Sequence, residues 1–142
     1  MEERVNRHLA RVLAVQALYQ YILLKTSTEE VKIYPWSIEE KIDEPTRRYA
    51  SSLIEGTITH IDEIENIIKN KLQKTDLAQL HIMDKTILYL SVYSLLFLDD
   101  IPVKVIINEA IILAKEFGNY NSYKFINGIL DAIRKDRKIK TV

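Results

Sequence analysis

Apolar residues recur along this chain at the three-and-four spacing of α-helices, and no segment alternates convincingly enough to be read as a strand. From Val5 to Leu24 the positions Val5, Leu9, Val12, Leu13, Leu18 and Leu23 mark a first helix of about five turns, uninterrupted by Gly or Pro. Thr26-Ser27-Thr28-Glu29-Glu30 reads as a loop or helix start. Ser37-Ile38-Glu39-Glu40 has capping-box spacing and predicts a short acidic second helix. After the interruption at Pro45, a stripe through Tyr49, Leu53, Gly56, Ile61, Ile64, Ile68 and Leu72 predicts one long third helix, with Gly56 allowing a close crossing.

Thr75 to Leu80 predicts a short helical piece. Ile82 to Leu98 is apolar nearly all round, as a helix at the centre of a bundle would be. Asp99-Asp100-Ile101-Pro102 supplies a stop and a new start, since Pro is tolerated in a first turn, where its missing N–H costs nothing. The sixth helix then runs to Phe117, with Val105, Ile106, Ala110, Leu113 and Ala114 as core and Gly118 as a left-handed cap. Asn121-Ser122 caps a seventh helix that returns Phe125, Ile126, Ile129, Leu130 and Ile133 to the core, before a basic tail from Arg134 to Lys140. The prediction is all-α, about seven helices in a single domain over 1–142.

Composition narrows the chemistry. With 142 residues, 47% hydrophobic, the chain can close one core. It has no Cys, which removes disulfides, thiol nucleophiles and cysteine-held metals. Only three Gly are present, too few to hide a phosphate-cradling loop or a dinucleotide fingerprint. His8, His60 and His81 are scattered and lack metal-ligand spacing. The polar pairs Asn108-Glu109 and Asn127-Gly128 are read as buried groups that fix helix register, and Asp99-Asp100 as a turn. No signal peptide and no membrane span are apparent, so a cytoplasmic protein is expected, with no metal, no cofactor and no catalytic activity.

Total charge is balanced at 20 acidic and 20 basic residues, but its distribution is uneven. Residues 1–25 hold four basic groups against two acidic, and residues 119–142 six against two, while residues 26–44 and 75–118 are acidic. If the ends meet in space they form one basic surface suited to a polyanion. Arg4, Arg7 and Arg11 recur at helical steps, predicting a wet basic face on the first helix.

Three ordered segments carry a resemblance. Val12-Leu13-Ala14-Val15-Gln16-Ala17-Leu18-Tyr19 resembles the first-helix signature of the NusB family, an Arg-rich start running into A-x-QALY. Ile101-Pro102-Val103-Lys104-Val105-Ile106-Ile107-Asn108-Glu109-Ala110-Ile111-Ile112-Leu113-Ala114-Lys115 is similar to the family's D-x-P-x-x-V-x-INEA-x-ELAK. Lys124-Phe125-Ile126-Asn127-Gly128-Ile129-Leu130-Asp131 is similar to its KFVNGVLD. The resemblance implies two packed three-helix bundles with an extra helix. It implies a transcription antitermination factor that binds single-stranded boxA RNA of ribosomal RNA leaders together with NusE, a small-subunit ribosomal protein, and acts with other Nus factors on elongating RNA polymerase.

By the same resemblance, Arg7, Arg11, Tyr19 and Asn121 are RNA-binding candidates, joined by Arg4 from the helical spacing, and Asp84, Lys124 and Phe125 are partner-binding candidates, with Lys104 added to them. The sequence departs from the family pattern in three places. The adjacent arginines are thinned to Arg7-His8-Leu9-Ala10-Arg11, Tyr89 replaces a basic residue, and Val103 replaces an aromatic one. These departures shift RNA binding toward the partner and make Tyr89 a stacking candidate. Two alternatives stay open: a helical adaptor without RNA binding, and the N-terminal unit of a ribosomal RNA cytosine methyltransferase, although the chain ends at Val142 without a Rossmann-like region.

Overall fold

The computed structural model describes residues 4–25, 42–72 and 76–137. Among them are six α-helices and no strand: α1 (Arg7–Leu24), α2 (Glu44–Thr59), α3 (Ile61–Lys69), α4 (Ile82–Phe97), α5 (Val103–Phe117) and α6 (Ser122–Asp136). A 3-10 turn, Leu77–Gln79, stands where the short helical piece was predicted. The capping box at Ser37, and the second helix it predicts, lie outside the described residues, as does the end of the basic tail. The chain divides into two compact units, Met1–Thr59 and His60–Val142.

In the first unit α1 packs on α2. The buried positions of α1 are Ala10, Arg11, Leu13, Ala14, Val15, Ala17 and Leu18, so Val5 and Leu23 are not core, at 36% and 48% exposed. Three alanines within this set let a neighbour approach closely, and Leu13 and Ala10 cluster with Ala50 while Leu9, Ile42 and Tyr49 close the edge. The starts of the two helices are stitched together. Asn6 caps α1 by accepting the Leu9 N–H at 3.0 Å, and its own N–H donates to the Thr46 hydroxyl oxygen at 3.0 Å. Thr46 is fully buried, and its N–H donates to Asp43 at 2.8 Å, capping α2. Donation from the Thr46 hydroxyl and amide holds the Asp43 carboxyl below its ordinary value of 3.8. Pro45 therefore falls inside the first turn of α2, where its missing donor is harmless, rather than interrupting the chain ahead of it.

The long third helix of the sequence pattern is two helices, broken at His60 (φ −104°, ψ 18°). Two local causes act there. The Thr57 hydroxyl donates back to the Leu53 carbonyl at 2.7 Å, a contact that loosens a helix. Asp62 and Glu63 then favour a fresh N-terminus by opposing its partial positive charge. The His60 ring is pinned by stacking on Phe97, with centroids 4.0 Å apart.

In the second unit α4 is the centre, packed against α3, α5 and α6. Ten of its residues are buried, including Thr86, Ser91 and Ser94. Thr86 and Ser94 donate their hydroxyls to the carbonyls of Ile82 and Leu90 at 2.7 and 2.9 Å, so these polar atoms are satisfied without leaving the helix. Ile64, Ile67 and Ile68 of α3, Ile106, Ala110, Leu113 and Ala114 of α5, and Ile126, Ile129, Leu130 and Ile133 of α6 complete the core. Val105 is 42% exposed and Phe125 half-buried, so neither is the core residue its spacing predicts. Lys71 and Asp136 bridge the ends of α3 and α6 at 3.1 Å.

The buried stitch in the first unit makes a prediction. Thr46→Val keeps shape but strands the Asn6 amide, and urea denaturation should show a loss of about 1–3 kcal/mol. Because the folded pKa of Asp43 is depressed, its contribution is complete above 3.8 and fades as pH falls through the folded value. Carboxyl NMR titration should place the Asp43 midpoint below 3.8 in the wild type and nearer to it in Thr46→Val.

Candidate functional site

The RNA-binding candidates of the first unit do not form the uniformly wet face predicted for them. Arg4 precedes the helix and is exposed, and Arg7 opens α1 with its guanidinium 5.4 Å from the Tyr49 ring centroid, a cation–π arrangement on an exposed side chain. Arg11, one turn further on, is only 8% exposed because α1 turns that position toward the interior. Tyr19 is half-buried. Of the two arginines in α1, Arg7 is thus the exposed one.

Tyr89 corrects another expectation. It belongs to the core of α4 at 2% exposure, and burial, followed by the neighbouring Glu65 carboxylate, raises its hydroxyl pKa above the ordinary value. A ring held there offers no face to a base. On the same helix Asp84 is 7% exposed, and its Oδ1 has no hydrogen-bond partner. Its place in the first turn of α4 offsets part of the cost of burying a carboxylate. Lys104, in the first turn of α5, is exposed.

The turn between α5 and α6 is built differently from the sequence reading. Gly118 is extended (φ −91°, ψ −174°) and not left-handed; the described non-glycine residue with positive φ is Lys25, which ends α1 at φ 52°. Gly118 is required by proximity instead. A Cβ there would lie 2.7 Å from the Ala114 carbonyl oxygen and from the Ser122 side chain. Asn121 occupies the N-cap position of α6 without a side-chain capping bond. Ser122, 4% exposed, does the fastening: its Oγ accepts the Asn119 N–H at 2.8 Å, and its N–H donates to the Asn119 carbonyl at 3.1 Å.

Around this turn Tyr120, Tyr123 and Lys115, absent from the sequence-based candidates, gather beside the candidate Lys124. Tyr120 is 90% exposed, and the Tyr123 ring has the Lys115 ammonium at 4.9 Å and the Lys124 ammonium at 5.9 Å from its centroid. The available signal was a tyrosine between two asparagines, Asn119-Tyr120-Asn121, directly after a glycine. Farther along α6 the basic excess is partly spent internally. Arg134 and Lys135 both bind Asp131, at 2.6 and 3.0 Å, which holds the Asp131 carboxyl below its usual range. The polar pairs read as buried register pins are peripheral: Asn108, Asn127 and Gly128 are exposed and Glu109 half-buried.

Among the described residues no group of three or more His, Asp or Glu could hold a metal ion, and no helix is long and apolar enough to cross a membrane. The described residues form an all-helical protein. The chain belongs to the NusB family, whose profile matches residues 8–135. The transcription antitermination protein NusB of Nitratiruptor sp. is 40% identical to it over 94% of each chain. That of Halalkalibacterium halodurans is 38% identical over 96% of this chain and 98% of its own. NusB of T. maritima superposes with a TM-score of 0.82 at 34% identity over 94% of each chain. A chain from the crystal structure of antitermination factors NusB and NusE in complex with dsRNA gives 0.82 at 28% identity, covering 92% of this chain and 96% of that one.

The glycines of α5 and α6 separate two mechanisms in one measurement. Gly118→Ala should cost about 1–3 kcal/mol by overpacking. Gly128→Ala, whose Cβ meets nothing within 4 Å, should gain about 0.5–1 kcal/mol from helix propensity. Urea denaturation of the two variants should therefore move in opposite directions.

Proposed function

We propose that this protein is a cytoplasmic transcription antitermination factor without catalytic activity, which binds single-stranded boxA RNA of ribosomal RNA leaders jointly with NusE and acts with other Nus factors on elongating RNA polymerase. The observation that carries this reading is the family match across 8–135, joined to the likeness to a chain from a NusB–NusE–RNA complex. The curated relatives match along nearly their whole lengths, which favours this reading over the N-terminal unit of a methyltransferase.

Arg4 and Arg7 meet phosphates, and Tyr19 and Asn121 lie along the RNA; Arg11, being buried, supports the position of α1 and adds charge at short range. NusE is met by Asp84, Lys104, Lys124 and Phe125. Asp84 suits that role through its orphan Oδ1, which a donor from the partner would satisfy, and half-buried Phe125 supplies an apolar anchor.

The two roles separate by titration. Arg7→Ala should flatten the slope of log K against log salt for boxA RNA by about 0.7 while leaving NusE affinity unchanged. Phe125→Ala should weaken the NusE complex about tenfold and leave RNA binding by the free protein intact. Asp84→Asn, which keeps shape, should act in the same direction as Phe125→Ala. A protein that binds NusE but no RNA, alone or in the complex, would be the helical adaptor instead.

A further inference from the structure

Tyr120 is 90% exposed, the most exposed of the large hydrophobic side chains among the described residues. A tyrosine left in water forgoes the burial that its ring would gain elsewhere. Its backbone is nevertheless held firmly, by the paired Asn119–Ser122 hydrogen bonds and by the close fit of Gly118 against Ala114 and Ser122. The turn therefore presents a ring in a defined place without covering it.

Its surroundings select the chemistry of an occupant. The neighbours in the turn, Asn119 and Asn121, are exposed amides, able to donate to and accept from base edges. Three residues on, Tyr123 gathers Lys115 from α5 and Lys124 from α6 over its ring at 4.9 and 5.9 Å, placing two cations within a few residues of Tyr120. A protein hot spot wants its aromatic anchor within an apolar, desolvated surround, which amides and ammonium groups do not provide. Aromatic ring, amides and lysines together are what a single nucleic-acid strand uses: a π face for a base, hydrogen-bonding groups for its edge and positive charge for the phosphates. A duplex keeps its bases stacked on one another and has no free face to offer the ring.

We propose that Tyr120 stacks on an unpaired base of the bound RNA, with Lys115, held over the Tyr123 ring, neutralising a phosphate beside it. This rests on the RNA-binding reading above and adds to it a base-contacting residue and one phosphate contact. Stacking is an interaction of faces and not of charge, so the two kinds of contact have different signatures.

The test is a salt-dependent titration of the full chain, alone and with NusE, against a boxA-like single strand carrying a fluorescent base analogue, and against the same sequence annealed to its complement. Tyr120→Ala should weaken single-strand binding about tenfold with the salt slope unchanged and the stacking quench of the analogue lost. Tyr120→Phe and Tyr120→Trp should retain affinity, because they retain the face. Lys115→Ala should instead flatten the salt slope by about 0.7. Duplex binding should be indifferent to Tyr120→Ala. If wild type binds the single strand and Tyr120→Ala binds it equally well, the stacking role is wrong while the RNA reading stands. If Tyr120→Ala weakens NusE binding instead, the ring belongs to a protein contact and the proposal is likewise overturned. If the wild type binds no RNA in either form, the RNA reading itself fails and the proposal with it.

Discussion

Burial of α4 on nearly every side is the constraint to which the second unit answers. A helix with no wet face cannot use amphipathicity to choose its orientation, so its neighbours must supply apolar stripes from several directions. The isoleucines of α3 and α6 and the Ile106–Ala110–Leu113 stripe of α5 do so. Polar side chains survive within α4 only on stated terms. Thr86 and Ser94 return their protons to their own helix, and Tyr89 is held by Glu65. Asp84 is the exception, a buried carboxylate with an oxygen left over, and a helix otherwise devoted to packing gives that oxygen its significance.

How much could be read beforehand depended on whether a signal was local. Helix existence followed from periodicity, and the boundaries of α4 and α5 came within a residue or two of those observed, while α6 continues to Asp136, into the segment read as a basic tail. The break at His60 was missed because an apolar stripe continues through it, and stripes record faces, not continuity. Asn108 and Asn127 were assigned inward because they interrupt apolar runs, yet helices in which apolar residues are this abundant place some of them outside too, as Val105 and Ile112 show at 42% and 47% exposure.

The candidate site was legible as a set of segments and less so as a set of side chains. The family resemblance pointed to candidates at the start of α1, in the first turn of α4 and in the α5–α6 turn, but could not say which member of each segment faces water. Arg11 differs from Arg7 by one turn and Tyr89 from Tyr120 by context, and in each pair the first is buried while the second is exposed. Charge counting had a related weakness. The excess of positive charge toward the C-terminal end is real, but Asp131 and Asp136 already engage Arg134, Lys135 and Lys71, whereas Lys115, from a segment counted as acidic, is brought over Tyr123 by the packing of α5 on α6.

The tight turn at Gly118 bears on the thermodynamics of recognition. Binding by a floppy loop spends part of its contact energy on ordering the loop, at about 0.5–1.5 kcal/mol for each immobilised side chain, before any backbone cost. Here the backbone from Ala114 to Ser122 is already fixed by a steric fit and reciprocal hydrogen bonds, so a ligand arriving at the turn has little more than side-chain torsions to freeze. Under the stacking proposed for Tyr120, association at this turn would carry a small entropic penalty on the protein side, and most of the ordering cost would fall on the flexible single strand.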